Sequence, residues 1–157
     1  MQKVTPFLWF NGRIQEALDL YTSVFPSSRV LAKQPGPNGE LQGATIEIEG
    51  QQLIAFNGGP GPQLTPAFSL FVNCESQTEI DELWARLTAD GGQESRCGWL
   101  QDRFGVSWQI IPSILPQLLS DPDRERAGRV LNAMLQMQKI DIGALERAAA
   151  GEIGVSA

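Results

Sequence analysis

Cys97–Pro112, CGWLQDRFGVSWQIIP, gathers more chemically expressive side chains than any other stretch of the sequence. It holds one of the two cysteines, two of the four tryptophans, a DRFG turn and a glutamine inside an apolar run. Each admits a chemistry. Cys97 is a candidate nucleophile, but only as a thiolate with a base or cation beside it. Asp102 could act as an acid or base if buried, although an aspartate in such a turn readily bonds nearby backbone amides. Gln109 is a candidate ligand contact, because a buried amide needs hydrogen-bond partners; a bond to neighbouring backbone is its plainer reading.

The chain contains no histidine. That removes His-based triads, a His general base and the usual His-containing zinc sites, and leaves oxygen or thiolate ligands for any metal. It also leaves Cys97 without an activating imidazole, so an inert, partly buried thiol is expected. Cys74, near a helix start where a thiolate is mildly stabilised, is read the same way. The two cysteines form no CxxC, which favours a reduced, cytoplasmic setting.

At 157 residues, 42% hydrophobic and 19% charged, the chain suits one compact domain or two small modules sharing a core. A net charge of -6 and scattered basic residues argue against nucleic acid and against anionic membrane surfaces as partners. No segment approaches the roughly 20 apolar residues of a membrane span, and the first residues lack the apolar core of a signal peptide.

The elements that must position these residues follow from periodicity. Val4–Phe10 reads as a strand, with Pro6 pointing to an edge or a strand start. Asn11 is placed to cap a helix over about 12–25, with Ile14, Ala17, Leu18, Tyr21 and Phe25 on one face and Pro26 stopping it. Strands follow over 29–33, 41–49 and 52–57, the last two joined at Gly50-Gln51. The GGPGP run from Gly58 lacks the lysine and the following helix of a phosphate loop and reads as a linker. A second set begins with a strand over 66–73. Ser76-Gln77-Thr78-Glu79 is a capping-box pattern, and Ile80, Leu83, Trp84 and Leu87 recur at helical spacing up to Gly91-Gly92. Strands over 94–97, 99–101 and 106–111 complete it.

The order strand, helix, three strands therefore occurs twice. Glu16–Tyr21 aligns with Glu79–Trp84 at an offset of 63, and the Gly50 hairpin with the Gly105 hairpin at an offset of 55. This predicts an α+β fold of two βαβββ modules whose sheets curl around a cleft. The modules span about 1–58 and 66–112, with a linker at 59–65 and a helical tail at 113–157. In the tail, Asp121-Pro122 marks a helix start. Ala127, Val130, Leu131, Met134 and Met137 form an apolar stripe that packs on the sheets or a second subunit, and Asp141 caps a last short helix through Leu145.

The CGWLQDRFGVSWQIIP segment, the opening TPFLWFNG, the CES before the second helix and the KID at Lys139 resemble one group of the vicinal oxygen chelate (glyoxalase/bleomycin-resistance) superfamily. That group is the PhnB-like family labelled 3-demethylubiquinone-9 3-methyltransferase. The resemblance spans nearly the whole chain. It implies the paired βαβββ fold and, commonly, a homodimer. A Rossmann-type methyltransferase needs a Gly-rich turn between strand and helix with an acidic residue on the next strand. The Gly-rich run here lies between modules, which argues against methyl transfer.

Superfamily enzymes place metal ligands, His and Glu, on the first and last strands of each module. The resemblance puts the glutamate position four residues after the turn glycine. That position is Gln109 in the second module and Ile54 in the first, and the first strands offer no His, Asp or Glu. A neutral amide and an aliphatic group cannot replace anionic or imidazole ligands, so no metal and no cofactor is expected. Strand alternation puts Ser107, Gln109 and Ile111 on one face and Val106, Trp108 and Ile110 on the other. An even-length turn would add Asp102 and Leu100 to the Gln109 face and Trp99 and Gln101 to that of Trp108. The resemblance implies that the Gln109 face lines the cleft and that Trp108 is core. Gln109, Asn57, Trp9, Phe7, Asp102 and Ser107 are the candidate ligand contacts. Two functions remain open: a metal-independent small-molecule binding protein of the bleomycin-resistance type, or a metal-independent enzyme of unassigned reaction on a small metabolite. A purely structural module is the weaker third.

Overall fold

The computed structural model describes residues 2–152. The chain divides into two compact units, Met1–Thr65 and Pro66–Ala157.

In the first unit, β1 (Phe7–Phe10) leads into α1 (Ile14–Val24), then β2 (Ser28–Pro35), β3 (Leu41–Ile48) and β4 (Gln51–Asn57). The sheet order is β1-β4-β3-β2, with β1 parallel to β4 and the other pairs antiparallel. Alternation sends Leu8, Phe10, Ala44, Ile46, Ile48, Leu53 and Ala55 into the core, where α1 supplies Ile14, Ala17, Leu18 and Tyr21. Asn11 does not cap α1. Gly12 (φ 74°) and Arg13 (φ 60°) both adopt left-handed conformations, which delay the helix to Ile14. The Gly12 N–H instead donates to Asn57 Oδ1 (2.9 Å). The β3–β4 hairpin turns on Glu49-Gly50, both at positive φ, one residue earlier than Gly50-Gln51. That is a two-residue hairpin turn of the primed kind, which asks for a left-handed conformation at both positions.

The second unit repeats the order: β5 (Ser69–Cys74), α2 (Gln77–Thr88), β6 (Gln93–Glu94), β7 (Trp99–Gln101) and β8 (Ser107–Pro112). Its sheet order, β5-β8-β7-β6, is the first unit's with β5 parallel to β8. The offset of 63 holds in the burial of the helices: Ala17, Leu20, Tyr21 and Val24 match Ile80, Leu83, Trp84 and Leu87, all buried. Ser76 Oγ accepts from Glu79 N, as the capping box predicts, while Glu79 Oε2 reaches back to Glu75 N. Strand β6 is shorter than expected, because Cys97 sits at φ 58° in the turn before β7.

Three helices follow, α3 (Ile114–Leu119), α4 (Arg124–Leu135) and α5 (Ile142–Ala149). They pack on the second unit through Ile111, Leu115, Val130, Ile140 and Leu145. Asp123, not Asp121, caps α4; Asp121 holds Asp123 N and Arg126 instead. Leu131 falls off the expected stripe and is 42% exposed. The KID residues each anchor this tail. Lys139 Nζ meets Asp81 Oδ1 at 2.8 Å, Ile140 is fully buried, and Asp141 Oδ1 caps α5 at Ala144 N. Among the described residues no helix is long and apolar enough to cross a membrane.

Candidate functional site

Each sheet lays one face against its own helix, so the candidate ligand contacts sort by the face they occupy. In the second unit the turn decides this. Gln101 pairs with Ser107, and Asp102 N donates to Val106 O, which closes a three-residue turn of Arg103, Phe104 and Gly105 (φ 92°). The turn is odd, so the even-turn assignment of faces is reversed. Trp99 lies opposite Gln109, and Leu100 opposite Trp108. Asp102 therefore joins Trp108 on the helix side and is 3% exposed. Its Oδ1 accepts from Phe104 N (2.9 Å) and Val106 N (3.0 Å), and its Oδ2 from Trp108 Nε1 (3.0 Å). The carboxylate thus satisfies hairpin donors and anchors the buried indole. Trp108 is core, as expected, at 1% exposure.

On the helix-free face, Gln109 has direct cross-strand neighbours on both sides, Phe71 on β5 and Trp99 on β7. Gln109 and Trp99 are partly buried, and Phe71 is 50% exposed. Gln109 Nε2 donates to Ser69 Oγ (3.0 Å). No donor among the described residues reaches its Oε1. Ser107 shares this face but is 3% exposed, between Ser69 and Gln101 in the sheet.

In the first unit, Phe7 and Trp9 lie on the helix-free face with Phe56. The Phe7 and Phe56 ring centroids are 5.4 Å apart, and Trp9 meets Phe56 edge-on at 5.1 Å. Trp9 Nε1 donates to Gly59 O (2.9 Å), and the indole lies so close over Gly58 that a Cβ there would sit 2.1 Å from its ring. Gly58 is therefore a packing requirement as well as part of a linker. Asn57 does not join these aromatics. It pairs with Phe10, and its side chain fastens the entry to α1. Asn57 instead borders a cavity of about 730 Å³ with Arg13, Glu16, Lys33 and Glu40. Three of that cavity's charged groups are engaged in its own wall, Arg13 with Glu16 at 2.8 Å and Lys33 with Gln15 at 3.0 Å.

Neither thiol faces a reacting centre. Cys74 is fully buried, and burial, then the Glu79 and Glu75 carboxylates, push its pKa up to about 12. Those effects outweigh the mild stabilisation expected of a thiolate near a helix start. Cys97 and Gly98 serve as a backbone dock for the tail: their N–H groups donate to Met137 O and Gln138 O, each at 2.8 Å.

The parallel pairings fix equivalent positions in the two units. Phe7 opposes Ile54 in the first, and Phe71 opposes Gln109 in the second. Ile54 and Gln109 each lie four residues after a hairpin glycine, at the level where the superfamily resemblance implies metal ligands. Neither pair, a phenyl ring with an alkyl chain in the first unit or a phenyl ring with a neutral amide in the second, fits a divalent cation, which needs carboxylate, carbonyl or imidazole donors in number. Among the described residues no three His, Cys, Asp or Glu side chains converge. The sequence pattern alone does not single out Phe71, Trp99, Ser69 or Phe56 as neighbours on these faces. The alternation of Ser69-Leu70-Phe71 carried a face signal, but the partner strand did not follow from it.

The 3-demethylubiquinone-9 3-methyltransferase family matches residues 2–111. The chain belongs to this family. The family match ends before α3, so the tail helices and the KID motif lie outside it. Among solved structures, the family's PhnB protein of Bacillus cereus, described as a 3-demethylubiquinone-9 3-methyltransferase, is 32% identical with a TM-score of 0.66; the alignment covers 71% of this chain and 100% of that one. A fosfomycin resistance protein of Listeria monocytogenes, solved with Mn(II) and sulfate, is 16% identical with a TM-score of 0.51, covering 69% of this chain and 90% of that one. A glyoxalase-related enzyme of Fulvimarina pelagi is 17% identical with a TM-score of 0.50, covering 73% and 91%. At those identities the last two show the fold alone, the glyoxalase-like α+β fold of the vicinal oxygen chelate type. No curated protein sequence matches the chain.

Proposed function

We propose that this family member is a metal-independent small-molecule binding protein whose contact surfaces are the helix-free faces of its sheets. One observation carries the reading. Gln109, at a level where metal-using relatives are expected to place a glutamate, is a neutral amide between Phe71 and Trp99, held by Ser69 Oγ at its nitrogen, with no donor among the described residues at its oxygen. Such a group orients a ligand by hydrogen bonding and cannot polarise a substrate oxygen as a bound cation does. Phe7 and Trp9 extend the same kind of surface in the first unit.

Of the other candidates, Ser107 contributes to the floor of the Gln109 face, whereas the bonds of Asp102 and Asn57 favour structural roles. Methyl transfer finds little support. Both sheets are mixed, and neither strand-to-helix turn, Asn11-Gly12-Arg13 or Glu75-Ser76, has the Gly-rich form that cradles a dinucleotide-like cofactor. A metal-independent enzyme is the second reading, favoured by the family's label alone. The resemblance supports a homodimer, which sedimentation would check, and the two free cysteines suit a reducing, cytoplasmic setting.

A thermal-shift screen of small metabolites against wild type and Gln109→Ala tests the proposal. The expected result is at least one compound whose stabilisation is lost in the variant. If every stabilising compound acts equally on both proteins, the site assignment fails.

A further inference from the structure

The helix-free face of the second unit also restricts the kind of ligand it can take. The residues that β5, β7 and β8 send to that face alternate from Ser69, Trp99 and Ser107, and none of them carries a charge, in a chain of net charge -6. Its middle row is Phe71, Gln109 and Trp99, side by side across three strands. Neighbouring strands lie about 4.8 Å apart, so the two rings flank the amide within the span of a bicyclic ring system.

From this we infer that the ligand is an uncharged planar ring carrying an N–H or O–H donor, such as a lactam, a heteroaromatic N–H or a phenol. The inference rests on the binding reading given above for this face. Aromatic side chains reward a flat ring by offset or edge-on contact, which an aliphatic ring of equal size does not match. Gln109 Oε1, which accepts from no donor among the described residues, calls for one, while one of the two Nε2 N–H groups is held by Ser69 Oγ (3.0 Å). An anion would leave water for a face with no cation, and its desolvation would be uncompensated. A cation would gain only the ring faces, with no carboxylate among these positions to pair with. A site built around one hydrogen bond discriminates strongly against the analogue that lacks the donor, because the amide oxygen that the ligand covers is then left unpaired.

The test is a matched set of probes titrated by calorimetry: 2-quinolone and 2-naphthol as donor-bearing rings, N-methyl-2-quinolone as the donor-free control, 2-naphthoate as the anion and caprolactam as the non-aromatic lactam. At least one donor-bearing ring is expected to bind at least about tenfold more tightly than the three controls. That preference should be lost in both Gln109→Ala and Phe71→Ala. Phe71 is half exposed, so its truncation leaves the core intact, and circular dichroism verifies the fold of both variants. Gln109-dependent binding of 2-naphthoate or caprolactam as tight as that of the donor-bearing rings would overturn the ligand class while upholding the face as a site. So would a Gln109-dependent hit from the metabolite screen that is charged or aliphatic, with no probe bound. Absence of any Gln109-dependent ligand in either experiment would sink the site reading itself.

Discussion

Replacing Asp102 separates a structural carboxylate from a ligand-binding one. The group is 3% exposed and accepts from Phe104 N, Val106 N and Trp108 Nε1 at 2.9–3.0 Å. Asp102→Ala removes these acceptors together and deprives the buried Val106 N–H and Trp108 indole N–H, and the part-buried Phe104 N–H, of this partner. Each unpaired buried donor costs about 1–3 kcal/mol, and relaxation or entering water recovers part of it, so a net loss of about 3–4 kcal/mol follows. Asp102→Asn keeps the shape and one acceptor oxygen. With that oxygen retained on the two backbone amides, its NH2 group faces the Trp108 N–H, donor against donor, for a loss of about 2 kcal/mol. The assay is urea unfolding followed by tryptophan fluorescence. With a urea slope of about 2 kcal/mol/M, the midpoint falls by about 1.5–2 M for Ala and about 1 M for Asn, the slope unchanged. The near-ultraviolet signal of Trp108 should change in both. A midpoint within about 0.2 M of wild type for Asp102→Ala, combined with lost ligand binding, would refute the reasoning and return Asp102 to the site.

Three further outcomes follow from the same structure. Gly58→Ala should cost about 1–3 kcal/mol by thermal or urea unfolding, because its Cβ would sit 2.1 Å from the Trp9 ring and must displace the indole from Gly59 O. A thiol reagent at neutral pH should label Cys97 but not Cys74 in the native chain, with Cys74 reacting only on unfolding; mass spectrometry of the labelled peptides reads the result. Because the Cys74 pKa is raised on folding from 9.0 to about 12, its contribution to stability is intact below pH 9. That contribution declines as pH climbs toward 12, so Cys74→Ala should flatten the alkaline limb of the stability–pH profile.

Much of the architecture was legible because it rests on local pattern. The α2 face of Ile80, Leu83, Trp84 and Leu87 is written in a helical period, and the Gly50 and Gly105 turns in residues that tolerate positive φ. The internal offsets exposed the repeat. What failed was parity and partnership. Whether the DRFG turn holds an even or odd number of residues depends on where Asp102 and Val106 close it, and one residue exchanges the faces of Asp102 and Trp99. The neighbours of Gln109 depend on β5 pairing in parallel with β8, 38 residues away between Ser69 and Ser107, which no short window encodes. Asn11 had the chemistry of a cap, but two left-handed residues carried the helix start beyond its reach. At the candidate site the glutamine was legible as a departure from the family's ligand pattern. Its aromatic flanks and its bond to Ser69 were not, because they are properties of the sheet.

The most direct test of metal-independent binding at Gln109 is calorimetric titration of the best compound from the metabolite screen into protein stripped with EDTA. The account predicts a Kd equal to that of untreated protein, unaffected by added Mn(II). Binding that disappears on stripping and returns with the cation would contradict it.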